Sequence, residues 1–309
     1  MTLRRHLLNG WLRRIEKPRL ARTGTPDGLR RSFERTARLL FHAPRGTGQT
    51  WRHISLGADR ALDMLEITPR EIRSPAVILY FHGGGFVMGS PATHAAMLGQ
   101  IARRTGCRVV MPRYRLAPEH PFPAAVDDAR SAWDHLLAEG VAPARIILGG
   151  DSAGGALAFS LLGLVLAEGA ASPGAVFGFS PLTDMTYGSA SFRQNETVDA
   201  MLPATRAAEV NQLYLAGQPT EDPRASPIRA DFSGAPPVWL TVGDTEILRD
   251  DARGMARVLA DSGADVTLIE RHDLPHVWPI LHNFLPEARE TLDSLAAWIR
   301  RQPAWTSGS

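Results

Sequence analysis

Gly150-Asp151-Ser152-Ala153-Gly154 decides how this chain is read. The apolar run Ile146-Ile147-Leu148 precedes it and a helix-forming stretch to about Leu166 follows, so the segment predicts a strand, a tight turn and a helix. Glycines two positions before and two after Ser152 let neighbouring backbone crowd the turn, which forces the serine into a strained conformation with its hydroxyl exposed. That is the geometry of a nucleophile. The helix behind it offers backbone N–H groups and a positive dipole end where an oxyanion would form. Small residues gather around serines in many ordinary turns, so a second motif is needed.

It lies upstream, where Ala76-Val77-Ile78-Leu79-Tyr80-Phe81 runs into His82-Gly83-Gly84-Gly85-Phe86. Three glycines after a buried strand carry no side chain to pack, so the backbone itself is what matters there. Without a Cβ they can aim N–H groups into a cavity. A loop that merely needs positive φ would look the same in isolation. The two motifs together point to hydrolysis.

The sequence resembles the hormone-sensitive-lipase-like esterases (bacterial family IV) of the α/β-hydrolase superfamily. The resemblance rests on HGGGF at 82–86, YRLAPEHPFPAAVDD at 114–128, GDSAGG at 150–155, SPLTD at 180–184, DPRASPI at 222–228 and PHVW at 275–278, in the family's order. It covers residues 50 to 300 and is specific for the family but not for a substrate. It implies an α/β-hydrolase fold with a helical cap, whose N-terminal part would cover the active-site mouth.

With 309 residues the chain has room for one large α/β domain and a modest cap. Its 21% charged and 44% hydrophobic residues suit a globular enzyme, and a net charge of +2 is too small to imply nucleic-acid binding. Cys107, the single cysteine, has no partner for an internal disulfide and reads as a small buried hydrophobe in a reducing, cytoplasmic setting. No run of about 18 apolar residues is present, so no membrane insertion is expected. Leu7-Leu8 is followed by Arg13-Arg14 where a signal peptide would continue apolar.

Residues 3–15 place Leu3, Leu7, Leu8, Trp11, Leu12 and Ile15 on one helical face, with arginines largely on the other. Such a basic amphipathic helix lies on a membrane surface or covers the active-site mouth, and the family resemblance favours the cover. A second helix is expected over 29–40. Strands over 51–56 and 61–67, joined by a hairpin turn at Gly57-Ala58-Asp59-Arg60, would form an antiparallel edge. Beyond them strands over 76–81, 107–111, 145–148, 175–179, 238–242 and 265–269 alternate with helices. Ser90-Pro91 reads as the start of one helix and Gly106 as its end. The expectation is a mostly parallel, eight-stranded sheet flanked by helices, with the site at the carboxyl ends of the strands. The alternation stops between Thr183 and Pro236, where only 200–214 looks helical. The expected division is therefore 1–45 for the N-terminal part of the cap, 46–184 and 236–303 for the catalytic domain, 185–235 for a cap insertion, and 304–309 for a disordered tail.

A serine hydroxyl needs a base, usually histidine, and ten histidines compete. In the superfamily the order is Ser, acid, His, with the histidine after the last strand. Both His272 and His276 lie there; the resemblance selects His276 as catalytic and leaves His272 a supporting or surface role. Their i, i+4 spacing is not a metal site, because Pro275 breaks a helix and no third ligand is apparent; neither a metal nor a cofactor is expected. For the acid, Asp244, Glu246, Asp250 and Asp251 all follow one strand. The family pattern Asp-Pro-Leu-x-Asp aligns Leu248-Arg249-Asp250 so that Glu246 takes the catalytic place, with Ile247 where the family has Pro; Asp244 is the alternative. Asp250 and Asp251 suit the next helix's N-terminus.

The backbone N–H groups of Gly84, Gly85 and Ala153 are the expected oxyanion donors, with Gly83 as a further candidate. His82 is read as a loop anchor, Asp151 as a support for the loops around Ser152, and Tyr114, Arg115, Glu119 and His120 as a structural polar cluster. Phe86, Leu182, Met201, Tyr214 and Trp278 are the expected pocket wall, of a size for small or medium acyl esters. Amide, lactone or carbamate hydrolysis would use the same parts. A ligand-binding receptor on this fold would be expected to lack a triad member, and Ser152, Glu246 and His276 are all present. An exposed edge strand leaves a homodimer open.

Overall fold

The computed structural model describes residues 3–22, 24–57 and 60–306. Strands β1 (Thr47–Ser55) and β2 (Ala61–Pro69) pair antiparallel, from Thr47 opposite Pro69 to Ser55 opposite Ala61. Ala58 and Asp59 of the expected turn lie outside the described residues. Then come β3 (Val77–Phe81), β4 (Arg108–Pro112), β5 (Ile146–Asp151), β6 (Ala175–Phe179), β7 (Val238–Gly243) and β8 (Val266–Arg271). They form one eight-stranded sheet in the order β1-β2-β4-β3-β5-β6-β7-β8. β2 meets β4 antiparallel, and every pair from β4 to β8 is parallel.

The central strands are buried on both faces, and their period of two divides the core. Val77, Leu79 and Phe81 of β3 join one apolar cluster with α5 (Ala124–Ala138), α6 (Ala153–Ala167) and α9 (Arg249–Asp261). Ile78 and Tyr80 join the other with α4 (Pro91–Thr105) and α10 (Pro286–Arg300). α6 is apolar all round because the sheet and its neighbouring helices enclose it. α4 starts and stops where its sequence directs: Ser90 and Thr93 form a reciprocal capping box, Pro91 is the first helical residue, and Gly106 ends the helix at φ 74°.

The cap comes from two places. At the N-terminus α1 (Leu3–Trp11) continues through a π-helical turn (Leu12–Glu16) into α2 (Lys17–Arg22), one turn and more past the expected end at residue 15. α3 (Pro26–Leu40) follows, capped by Thr25, whose hydroxyl accepts the Gly28 N–H at 3.2 Å. The insertion holds α7 (Ala190–Gln194) and α8 (Ala207–Leu215). The single helix expected over 200–214 is shorter, because Pro203 stands before a 3₁₀ turn (Ala204–Arg206) that leads into α8. Ordered packing also reaches further into the tail: Ala304 is buried and the Trp305 indole donates to the Thr105 carbonyl at 2.7 Å. Ser307, Gly308 and Ser309 lie outside the described residues. Among the described residues no helix is long and apolar enough to cross a membrane.

Candidate active site

Ser152 stands between β5 and α6 at φ 52°, ψ −122°, outside the regions ordinary L-residues prefer. Such a residue stores about 1–3 kcal/mol, held here by its neighbours. Its N–H donates to the Phe179 carbonyl at 3.0 Å, while its carbonyl accepts from Leu182 at 3.0 Å and Ala156 at 3.1 Å. The flanking glycines are sterically required. A Cβ at Gly150 would collide with the Gly154 carbonyl, and one at Gly154 with the Phe81 carbonyl.

The loop after β3 approaches the same point. Gly84 and Gly85 adopt φ 127° and 60°, and the Gly84 carbonyl accepts from Val87 and Met88 at 3.1 and 3.0 Å. That closes a turn with the N–H groups of Gly84 and Gly85 without a partner among the described residues. Ala153, the first residue of α6, has one of the N–H groups a helix cannot satisfy internally. Gly83 is different: its N–H donates to Asp151 Oδ1 at 3.0 Å, so the structure removes it from the oxyanion candidates.

Asp151 also accepts from the Tyr80 hydroxyl at 2.7 Å and faces His94 Nε2 at 3.3 Å, tying the turn around Ser152 to the glycine loop. Burial pushes its carboxyl up, but His94 and the Tyr80 hydroxyl outweigh that and hold it below the ordinary value. His82 is an anchor. Burial, reinforced by nearby His94, pushes it down to about 3, so the ring is neutral; it stacks on Tyr114 at 4.2 Å, and the Tyr114 hydroxyl donates to the His82 carbonyl at 2.6 Å. Arg115 pairs with Asp128 at 2.9 Å and Glu119 with Arg30 at 2.6 Å, the latter joining α3 to the proline-rich turn.

His276 and Glu246 meet across the loops after β8 and β7, with Nδ1 to Oε2 at 2.6 Å and both side chains buried. The other oxygen of Glu246 accepts from Gly243 N–H at 2.6 Å and the Ser180 hydroxyl at 2.8 Å. Burial alone would push His276 down; the hydrogen bond and charge of Glu246 outweigh it and hold the imidazole above its ordinary value. Asp244 is turned elsewhere, accepting the Asp273 N–H at 2.8 Å and facing the exposed His272 at 2.7 Å. Asp250 and Asp251 occupy the first turn of α9, where they hold the chain between β6 and α7: Asp250 accepts from Ser191 N–H, Asp251 from the N–H groups of Thr183 and Asp184.

Three supporting residues have no sequence expectation attached. Ser180, at φ 46°, positions Glu246; Asn195 donates to the Glu246 carbonyl at 2.8 Å; Asp199 accepts from Ile247, Met201 and Leu202, each at 2.8 Å. Only Ser180 had a visible signal, as the first residue of SPLTD directly after β6.

Ser152 and His276 open onto one apolar cavity of about 410 Å³, roofed by both parts of the cap through Leu8, Leu12, Phe33 and Val210. Of the five residues read as pocket wall, Leu182 and Met201 border it. Phe86, Tyr214 and Trp278 do not. Phe86 and Tyr214 stack on each other at 3.7 Å, almost parallel and both 1% exposed, where the left-handed backbone of Phe86 (φ 63°) accompanies a ring packed in the core. Trp278 packs with Leu274, Leu285 and Ala288, and its indole donates to Thr291 on α10 at 2.9 Å.

The strand-turn-helix serine, the glycine loop and the acid–histidine pair at the carboxyl ends of a parallel sheet define an α/β hydrolase, and the chain matches the alpha/beta hydrolase fold family over residues 78–280. An acetyl-hydrolase of Streptomyces hygroscopicus is 36% identical over 223 residues, covering 72% of this chain and 75% of its own. An esterase of Acinetobacter venetianus is 32% identical over 243 residues, 77% of this chain and 80% of its own. The crystal structure of an esterase from the bacterial hormone-sensitive lipase family superposes with a TM-score of 0.90 at 36% identity, covering 98% of this chain and 99% of that one. This chain belongs to the hormone-sensitive lipase family of esterases.

Proposed function

We propose that this esterase cleaves carboxylic esters of short to medium acyl chains through a covalent acyl-enzyme on Ser152. The carrying observation is the buried 2.6 Å pair of His276 and Glu246, whose imidazole borders the same cavity as the strained Ser152. In this reading Ser152 Oγ attacks the ester carbonyl while His276 Nε2 takes its proton, and Glu246 Oε2 holds Nδ1–H and stabilises the imidazolium. The carbonyl oxygen, now anionic, accepts from the N–H groups of Gly84, Gly85 and Ala153. His276 returns the proton to the departing alcohol; water then attacks the acyl-enzyme by the same route. Losing one such oxyanion donor typically raises the barrier by about 2.7–4 kcal/mol, so the glycine loop matters on the scale of the side chains.

The cavity supports the acyl size. About 410 Å³ of apolar space lies towards the small end of ligand pockets, which favours acyl groups of a few carbons over long fatty chains. The test is hydrolysis of p-nitrophenyl esters from acetate to palmitate by the wild type and Ser152→Ala. Turnover that peaks at short or medium chains and vanishes in the variant is expected. A peak at palmitate would overturn the size assignment, and turnover surviving in Ser152→Ala would overturn the mechanism.

A further inference from the structure

The charge of the chain is unevenly placed. Residues 1–45 hold twelve of its 34 basic but only three of its 32 acidic residues, so they carry +9 in a chain of net +2 and the remainder carries −7. Exposed apolar surface concentrates there too: Leu7, Trp11, Ile15, Leu39 and Leu40 are five of the nine exposed large apolar side chains among the described residues. Both facts sit on the cap over the active-site cavity.

The N-terminal helix has three faces, each read at a spacing of four. The first is a ladder of donors. Arg5 reaches the His272 carbonyl at 3.0 Å, Asn9 the Asp273 carbonyl at 2.8 Å, Arg13 the Val198 carbonyl at 3.0 Å and Asp273 Oδ1 at 2.9 Å, and Lys17 the Asp199 carbonyl at 2.9 Å. The π-helical turn at Leu12–Glu16 inserts an extra residue, which keeps positions four apart closer to one face than an α-helix would. The second face, Leu8 and Leu12, roofs the cavity. The third is Leu7, Trp11 and Ile15, exposed by 63%, 45% and 54%. Because the ladder fixes the helix's rotation, this third stripe cannot turn inward to be covered.

What surrounds the stripe selects its partner. Arg4 stands three residues before Leu7, Arg14 three after Trp11 and Arg22 seven after Ile15, placements that on a helix put all three beside the stripe. All three are exposed and have no acidic partner among the described residues. Trp11 and Leu40, with Phe284 beside them, are both solvent-exposed and part of the cavity lining, so the apolar patch continues into the mouth of the site. We propose that the N-terminal helix docks in the plane of an anionic phospholipid surface, its Leu7-Trp11-Ile15 stripe entering the acyl boundary and Arg4, Arg14 and Arg22 meeting lipid phosphates. Exposed apolar side chains ringed by unpaired arginines are the surface such helices present. The acidic remainder of the chain is repelled by the same membrane, which orients the cavity mouth towards it. The docking half stands on the surface alone; delivery of amphiphilic esters into the cavity rests on the esterase reading above.

The test is co-sedimentation of the full chain with phosphatidylcholine vesicles, with and without phosphatidylglycerol, at low and high salt, alongside hydrolysis of soluble p-nitrophenyl butyrate. The variants are Leu7→Glu/Ile15→Glu, neither of which lines the cavity, and Arg4→Gln/Arg14→Gln/Arg22→Gln. Expected are binding that requires phosphatidylglycerol, weakens with salt and falls by about tenfold or more in either variant. Soluble-ester turnover stays within about twofold of wild type in both. Wild type that turns over butyrate but stays in the supernatant would overturn the proposal. So would binding unaffected by Leu7→Glu/Ile15→Glu. A dimer by light scattering that this variant dissociates, without vesicle binding, would assign the stripe to a second copy of the chain instead. Vesicle binding without any ester turnover would sustain docking and sink the esterase reading.

Discussion

Replacing Glu246 by Gln changes one oxygen to an amide and little else in shape, and the surroundings dictate how the amide must lie. The Gly243 N–H at 2.6 Å and the Ser180 hydroxyl at 2.8 Å both donate to Oε1, so the amide oxygen takes that place. The NH₂ group then faces His276 Nδ1 where Oε2 stood at 2.6 Å. Nδ1 must become an acceptor, which moves the ring proton to Nε2, the atom that takes the Ser152 proton in the proposed mechanism. A tautomer reversal of this kind costs about 10⁴-fold in kcat where an acid–His pair has been altered this way, or about 5.5 kcal/mol. The assay is kcat on p-nitrophenyl butyrate with circular dichroism and thermal unfolding as controls for the fold. Asp244→Asn, which removes a partner of exposed His272, should leave kcat within about twofold. A Glu246→Gln enzyme within about tenfold of wild type, or a larger loss in Asp244→Asn, would refute the reasoning.

The imidazole of His276 is held above its ordinary 6.5, and the proposed mechanism needs it neutral as the base, so kcat/KM should rise with pH through an acid limb above that value; Glu246→Gln should move the limb down, and a limb below 6.5 in the wild type would contradict the assignment. Gly84→Ala forces a Cβ against the Met88 carbonyl at φ 127° and should cost about 10²–10³ in kcat on p-nitrophenyl butyrate with a smaller change in KM. Burial raises Asp251 from 3.8 to about 7, so its contribution to stability is present below pH 3.8 and is lost as pH rises to about 7. Thermal melts across that window should therefore show a decline in the wild type that Asp251→Asn lacks. Phe86→Ala should lower unfolding free energy by about 3–5 kcal/mol in denaturant melts, since the ring packs on Tyr214 in the core, whereas Met201→Trp at the cavity wall should shift the preferred acyl length downward with stability little changed.

The alternating strands, the glycines around Ser152 and the capping of α4 were legible because each is written in contiguous residues with a local physical cause. Of the two acids the sequence left in play, Glu246 faces His276 and Asp244 faces His272, and the mechanism proposed above takes Glu246 as its acid. What was not legible depends on contacts between distant residues. Ser180 reaches Glu246 across 66 positions, and nothing near either residue announces the pairing. Phe86 and Trp278 close the HGGGF and PHVW motifs, and membership of a motif says nothing about which side of a loop a ring takes; left-handed backbone at Phe86, and at Val277 just before Trp278, accompanies the packing of both rings in the core. The fate of the tail turned on Trp305, whose partner Thr105 is 200 residues away. Pro203, by contrast, was in plain view as the break in the cap helix.

The central claim is that Ser152 is the nucleophile, and covalent labelling tests it most directly. The protein is incubated with an alkyl fluorophosphonate, digested and mapped by mass spectrometry, with residual esterase activity followed in parallel. The account predicts a single adduct on the peptide containing Ser152, activity falling in step with labelling, slower labelling in Glu246→Gln, and none in Ser152→Ala. An adduct on another residue that accompanies the loss of activity, or full turnover by Ser152→Ala, would contradict it.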